Sequence, residues 1–240
     1  MSFLPRVPVA GWPLAAPADD APGNPWFSWR YVHDNADTLL SALQFHAGLT
    51  ARAVIVALIV ALPLAVVAYW IRSLTGPILA LSGILYTIPS LALLALVAPL
   101  VGTTTDTSVL IALVLYALLV LVRNALAGLT QVPAEVREAA AGMGYGRFGR
   151  LWHIELPLAL PAVVTGLRLA TVSTVALVTV GSLIGKGGLG DLILGGFRNN
   201  FYRAEIVTGA VLTVALALVL DLILAGLGWL LTPWLRRRGA

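Results

Sequence analysis

An all-α integral membrane bundle of five helices is the fold this sequence predicts, on three observations. Hydrophobic residues make up 59% of the 240 positions and charged residues 11%, against about 45 to 50% and about 25% in ordinary soluble domains. Uncharged apolar runs recur along the chain at about the 20 residues that a helix needs to cross a bilayer. Cysteine is absent and His33, His46 and His153 are scattered. That removes disulfides, thiolate metal sites and cysteine nucleophiles together, and neither a metal nor another cofactor is expected. The 14 Arg and one Lys are spread along the chain, without the clustered basic face that nucleic acid requires.

Residues 1–32 read as a tail and interface segment, and residues 33–240 as the transmembrane domain. Six prolines (Pro5, Pro8, Pro13, Pro17, Pro22, Pro25) fall in the first 25 residues, with no apolar stretch after a basic start, so a disordered tail is expected rather than a signal peptide. Trp26, Phe27, Trp29 and Tyr31 suit the water–lipid boundary. From Asp34 to His46 an amphipathic stretch sets Leu39, Leu40 and Leu43 on one helical side. It fits either an interfacial helix or a helix packed on the bundle.

Spans are expected at about 50–72, 77–101, 107–129, 158–184 and 206–234. The third contains Arg123 and reaches membrane length only by continuing towards Leu129. Pro63, Pro89, Pro99 and Pro161 fall in or beside these runs, tolerable where neighbouring groups satisfy the freed carbonyls. Basic residues set the orientation. With the segment between spans three and four cytoplasmic, the inner side carries eight (Arg72, Arg123, Arg137, Arg147, Arg150, Arg236, Arg237, Arg238) and the outer side six with seven acids. The C-terminus is then cytoplasmic and the N-terminus outside.

The polar segment from Pro133 to Pro157 is the longest interruption between spans. Pro133 suits a helix start, Ala134 to Met143 is rich in helix formers, and Gly142, Gly144 and Gly146 supply a break before a second helix, Arg147 to Ile154. Ala139, Ala140 and Ala141 would let a partner's backbone come close, with Glu138, Arg137 and Arg147 around them. From composition alone this is a solvated amphipathic loop.

The order of residues says more. Glu138-Ala139-Ala140, then three residues and Gly144, then nine residues and Ile154, then Leu156-Pro157 after one more, resembles the EAA loop of ABC importer permeases. TIPSLALLAL (87–96), IALVLYALL with RN (111–124) and GKGGLGDLIL (185–194) are similar to the permeases for glycine betaine and related osmoprotectants. The resemblance implies a five-helix type I ABC importer permease bundle (MetI-like) in the cell membrane, with no catalysis and no nucleotide site of its own. It implies as partners cytoplasmic ATP-binding subunits, an identical or homologous second permease chain, an extracytoplasmic solute-binding protein and membrane lipid. The coupling residues it marks are Glu138, Ala139, Ala140, Gly144, Ile154, Leu156 and Pro157, with Ala134 to Met143 as the helix seated in an ATPase groove. The implied solute is glycine betaine, choline, carnitine or proline betaine. A methionine-type amino-acid importer is the alternative within transport.

Gly185-Lys186-Gly187-Gly188-Leu189-Gly190 matches GxGxxG literally. A dinucleotide site is rejected, because that fingerprint works only between a strand and a helix and here a membrane-length apolar run precedes it. In the family the stretch lies on the outer side, so Gly185, Gly187, Gly188 and Gly190 are expected at the outer gate and in contact with the binding protein. Lys186 stands where a smaller residue is expected. Arg168 lies ten residues into span four and Asp221 fifteen before Arg236, about 15 Å and about 22 Å along a helix. Intramembrane charges face the bundle interior or a water-filled path and find partners, so a structural pair is expected first and path-lining second. A membrane-embedded enzyme or a structural anchor is the reading from another class. No nucleophile, base and orienting acid stand at a recognisable spacing, and the three histidines are expected at the interface.

Overall fold

The computed structural model describes residues 24–101 and 106–234. The expected tail to residue 23 and the basic C-terminus from 235 lie outside these. Ten α-helices appear among the described residues. They are α1 (Trp29–Asp34), α2 (Ala36–Trp70), α3 (Arg72–Thr87), α4 (Ser90–Val101), α5 (Asp106–Thr130), α6 (Ala134–Gly142), α7 (Arg147–Arg150), α8 (Leu156–Val178), α9 (Leu189–Arg198) and α10 (Arg203–Leu231).

Small residues let the long helices come close. Ala53, Ala57, Ala61, Ala65 and Ala68 form a fully buried stripe on α2, which meets Ala117, Leu121, Val122 and Ala125 of α5. Helix α8 crosses α5 where a Cβ on Gly128 would stand 2.8 Å from the Ala159 carbonyl, and one on Gly166 would meet the Asn124 side chain. In lipid, where no hydrophobic force draws helices together, this close approach supplies the packing. The result is a bundle centred on α5, with α10 on its outside.

The second expected span, the placing of His46 and the expected Arg147–Ile154 helix differ from expectation. The second expected span is two helices, α3 and α4, meeting at 98°. Pro89 has no N–H and forces Ile88 out of the helical region, to φ −64° and ψ 126°. The freed Ile88 carbonyl accepts the Tyr116 hydroxyl. Among the described residues four helices are therefore long and apolar enough to cross a membrane, five if the bent pair is one span. Of the two readings of the amphipathic stretch, packing on the bundle holds: from Ala36 it is the start of α2, continuous with the first span. Leu39 packs there against Val175, Leu189 and Leu192, whereas Leu40 faces outward. His46 is not at the interface but fully buried, with Nε2 3.0 Å from the Val175 carbonyl. Finally, Arg147 to Ile154 is not a separate surface helix. A π turn over Leu151–Glu155 joins α7 to α8, and the combined helix runs through a 3₁₀ turn, Thr179–Ile184, to residue 184.

Candidate functional site

At one end of the bundle, α6 projects with one anchoring face. Ala140 is fully buried, while Glu138, Ala139 and Ala141 are exposed. Helix α6 ends in a Schellman turn. The Tyr145 amide donates to the Ala140 carbonyl (3.1 Å) and the Gly144 amide to the Ala141 carbonyl (3.0 Å), with Gly144 at φ +88°. This geometry requires a left-handed residue one past the cap. Around the turn stand Met143, Tyr145, Phe148 and Trp152, all exposed, Met143 at 69% and Trp152 at 66%. Met143 and Tyr145 lie between long apolar helices, and Phe148 and Trp152 at the start of the one that runs from Arg147 to Ile184; at such a helix end the patch marks an interaction surface. Ile154, Leu156 and Pro157 lie inward of it and half-buried. Leu156 packs on the cluster of Leu129, Leu151 and Ala159, and Pro157 follows the π turn at the second position of α8. These three connect the segment to the bundle rather than face a partner.

The side chains that fasten the segment come from distant parts of the chain. Arg147 donates to the Trp70 carbonyl (3.1 Å) and lies 4.4 Å over the Trp70 ring, which also meets Phe148 edge-on at 4.9 Å. The fully buried Glu155 accepts from Arg150 Nε at 2.8 Å and from the Tyr69 hydroxyl at 3.2 Å. Arg137 of α6 donates to that same hydroxyl at 3.2 Å, a bond that holds its guanidinium charged above the ordinary arginine value. The clue available in sequence was the single acid, Glu155, interrupting an apolar stretch beside Leu156-Pro157.

At the opposite end the glycine run is mostly interior. Gly187, Gly188 and Gly190 are buried and Gly185 is exposed, so the first three offer no contact surface of their own. Their lack of a side chain serves packing instead. A Cβ on Gly190 would stand 2.6 Å from Thr179 Cα, one on Gly187 2.6 Å from Ser182 Cα, and one on Gly188 3.0 Å from His46 Cβ. Gly185 (φ +71°) and Gly188 (φ +56°) make the turns. The Gly187 amide donates to Asp191, and Lys186 pairs with Asp106 at 3.0 Å, tying the loop to the start of α5. The run follows a helix and a 3₁₀ turn, the wrong context for a dinucleotide fingerprint. Between the two ends, Arg168 of α8 and Asp221 of α10 meet in a bidentate pair, Nε to Oδ1 and Nη2 to Oδ2 both at 2.7 Å.

Comparison with known proteins decides the family. The family described as binding-protein-dependent transport system inner membrane component matches residues 53–237. The chain belongs to this family. It is 33% identical over 209 residues to the glycine betaine/carnitine/choline transport system permease protein OpuCD of Bacillus subtilis (strain 168), covering 87% of this chain and 91% of the relative. It is 37% identical over 211 residues to the osmoprotectant import permease protein OsmW of Salmonella typhimurium, covering 85% and 96%. Among solved structures, a chain of the MetNI methionine ABC transporter in inward-facing conformations superposes with TM-score 0.77 over 86% of this chain and 100% of that one, at 20% identity. That likeness carries the MetI-type fold. As a member of this permease family the chain is a multi-pass membrane transport component and not an enzyme. Membership implies a solute-binding protein and ATP-hydrolysing subunits as partners.

Proposed function

We propose that this permease imports glycine betaine or a related quaternary ammonium osmoprotectant such as choline, carnitine or proline betaine. ATP hydrolysis in separate subunits seated on α6 drives the movement. The observation that carries the solute is 32–37% identity to osmoprotectant permeases over more than four-fifths of the chain. The exposed Glu138, Ala139 and Ala141, with Met143, Phe148 and Trp152 beside them, supply a small-residue face rimmed by aromatic anchors for an ATPase groove. On this reading the α6 end is cytoplasmic, the N-terminus lies outside and the C-terminus inside, in keeping with the basic residues. The outer face keeps Gly185 as its exposed glycine for a binding protein, and a second permease chain completes the path.

Closure of two ATPase subunits on ATP draws their grooves together, and the seated helices pass that rigid-body motion to the spans, which alternate access. A quaternary ammonium cation is recognised by aromatic faces, a task assigned here to the binding protein. The test is uptake of labelled glycine betaine after a rise in osmolarity, in cells with and without the gene, with unlabelled choline, carnitine and methionine as competitors. Uptake lost with the gene and blocked by quaternary ammonium compounds is expected. Betaine uptake unchanged while methionine uptake is lost would overturn the solute assignment in favour of a methionine-type importer.

A further inference from the structure

Along the main chain the coupling helix follows α5 after Gln131, Val132 and Pro133 and reaches α7 through a glycine-bearing turn. Between α6 and α7 lie Gly144 and Gly146, and only Ala140 of α6 is buried. A pull on α6 transmitted through that turn alone would be absorbed by backbone rotation. A second connection bypasses the turn. Arg137 of α6 donates to the Tyr69 hydroxyl at the end of α2, Tyr69 donates to Glu155 Oε1, and Arg150 of α7 donates to the same oxygen. Three consecutive hydrogen bonds thus tie α6, α2, α7 and the π turn that opens α8.

Across the π turn Leu151–Glu155, Leu151 and Glu155 face inward and are buried, while Trp152 and His153 face outward. Single π turns inside α-helices are frequent at functional positions. The buried Glu155 carboxylate takes two donors on one oxygen, from Tyr69 at 3.2 Å and Arg150 at 2.8 Å, which fixes the side chains around it.

We propose that Glu155, gripped by Arg150 and Tyr69, is a positioning residue that makes the coupling helix and the membrane helices α2 and α8 move as one body. This rests on the reading of α6 as the ATPase seat. The latch determines how much of the ATPase stroke reaches the spans, while the seat determines whether the ATPase binds at all.

The test uses the complete transporter, permease with its ATPase subunits and binding protein, in proteoliposomes with radiolabelled glycine betaine as probe. Copurification of the ATPase, ATP hydrolysis and solute moved per ATP are read for Glu155→Gln and Tyr69→Phe, and copurification also for Glu138→Lys. Both latch variants are expected to retain the ATPase and hydrolyse ATP while solute moved per ATP falls about tenfold. The double variant should be no worse than either single one, as for links in one chain. Solute per ATP unchanged in Tyr69→Phe, the variant that leaves the carboxylate and Arg150 in place, overturns the latch even if Glu155→Gln fails to assemble. Retained copurification in Glu138→Lys overturns instead the seat, and the latch with it.

Discussion

Replacing Gly144 with residues of graded tolerance for positive φ isolates what this glycine contributes. A Cβ there would meet nothing within 4 Å, and φ is +88°, so any penalty is backbone strain and not collision. For an L-residue with a Cβ the left-handed region costs about 1–2 kcal/mol, with Asn the least affected of the common residues. If the Schellman turn must close for α6 to present its face, that strain reduces the closed fraction about 5- to 30-fold. Binding of the ATPase subunit to the permease in nanodiscs is the assay. Affinity should fall in the order Gly, Asn, Ala, Val, with Ala weaker by about 5- to 30-fold. Gly146→Ala is the control, since Gly146 has an ordinary φ of −67° and equally open space; it should bind like wild type. Equal affinity across the Gly144 series would refute the strain mechanism, as would a loss that follows side-chain volume with Asn and Leu alike.

Three further outcomes follow from contacts elsewhere. Arg168→Asp or Asp221→Arg alone should lower the yield of detergent-stable monodisperse protein, and the exchanged pair should restore it; an unrescued double variant would leave path-lining as the role of these charges. Gly190→Val must push the Thr179 backbone, 2.6 Å from the added Cβ, and should lower stability by about 1–3 kcal/mol in thermal unfolding, whereas Gly185→Asn, in open space at a turn that Asn tolerates, should not. Burial holds the Asp191 carboxyl above its ordinary value, with the Gly187 and Gly188 amides opposing the rise. Its protonated form is then the better accommodated in the fold, so its contribution is complete below the unfolded pKa and is lost as pH rises through the raised folded one. The melting temperature of Asp191→Asn relative to wild type should therefore climb with pH from about pH 4 upward, and a difference independent of pH would contradict the assignment.

Much of the α6 site was legible because its requirements are local. A helix former run, a glycine at the left-handed position and an EAA spacing are all set within a dozen residues, and the structure places Gly144 at the turn that spacing demands. The latch was not legible, because Tyr69 and Glu155 lie 86 positions apart and the lone acid at 155 does not say which residues meet it. The glycine run shows the opposite failure. Its pattern is conspicuous in sequence, yet whether such glycines face a partner or an adjoining helix depends on what packs over them, and here Thr179, Ser182 and His46 do. His46 was misplaced for the same reason: a polar residue near a span's end looks interfacial until a neighbouring helix covers it.

By itself the sequence determined that the chain is a membrane bundle of apolar helices, and that one polar segment between them carries a coupling pattern. Hydrophobicity and turn chemistry act over neighbouring residues and need no knowledge of the fold. Only the tertiary structure decided that the Tyr116 hydroxyl meets the Ile88 carbonyl at the Pro89 bend, that Arg168 and Asp221 pair, and that Glu155 gathers Arg150 and Tyr69. Each of these depends on which groups from distant parts of the chain reach one another to satisfy a freed carbonyl, a charge or a buried carboxylate. In a low-dielectric interior such polar groups find partners wherever the packing of whole helices brings them.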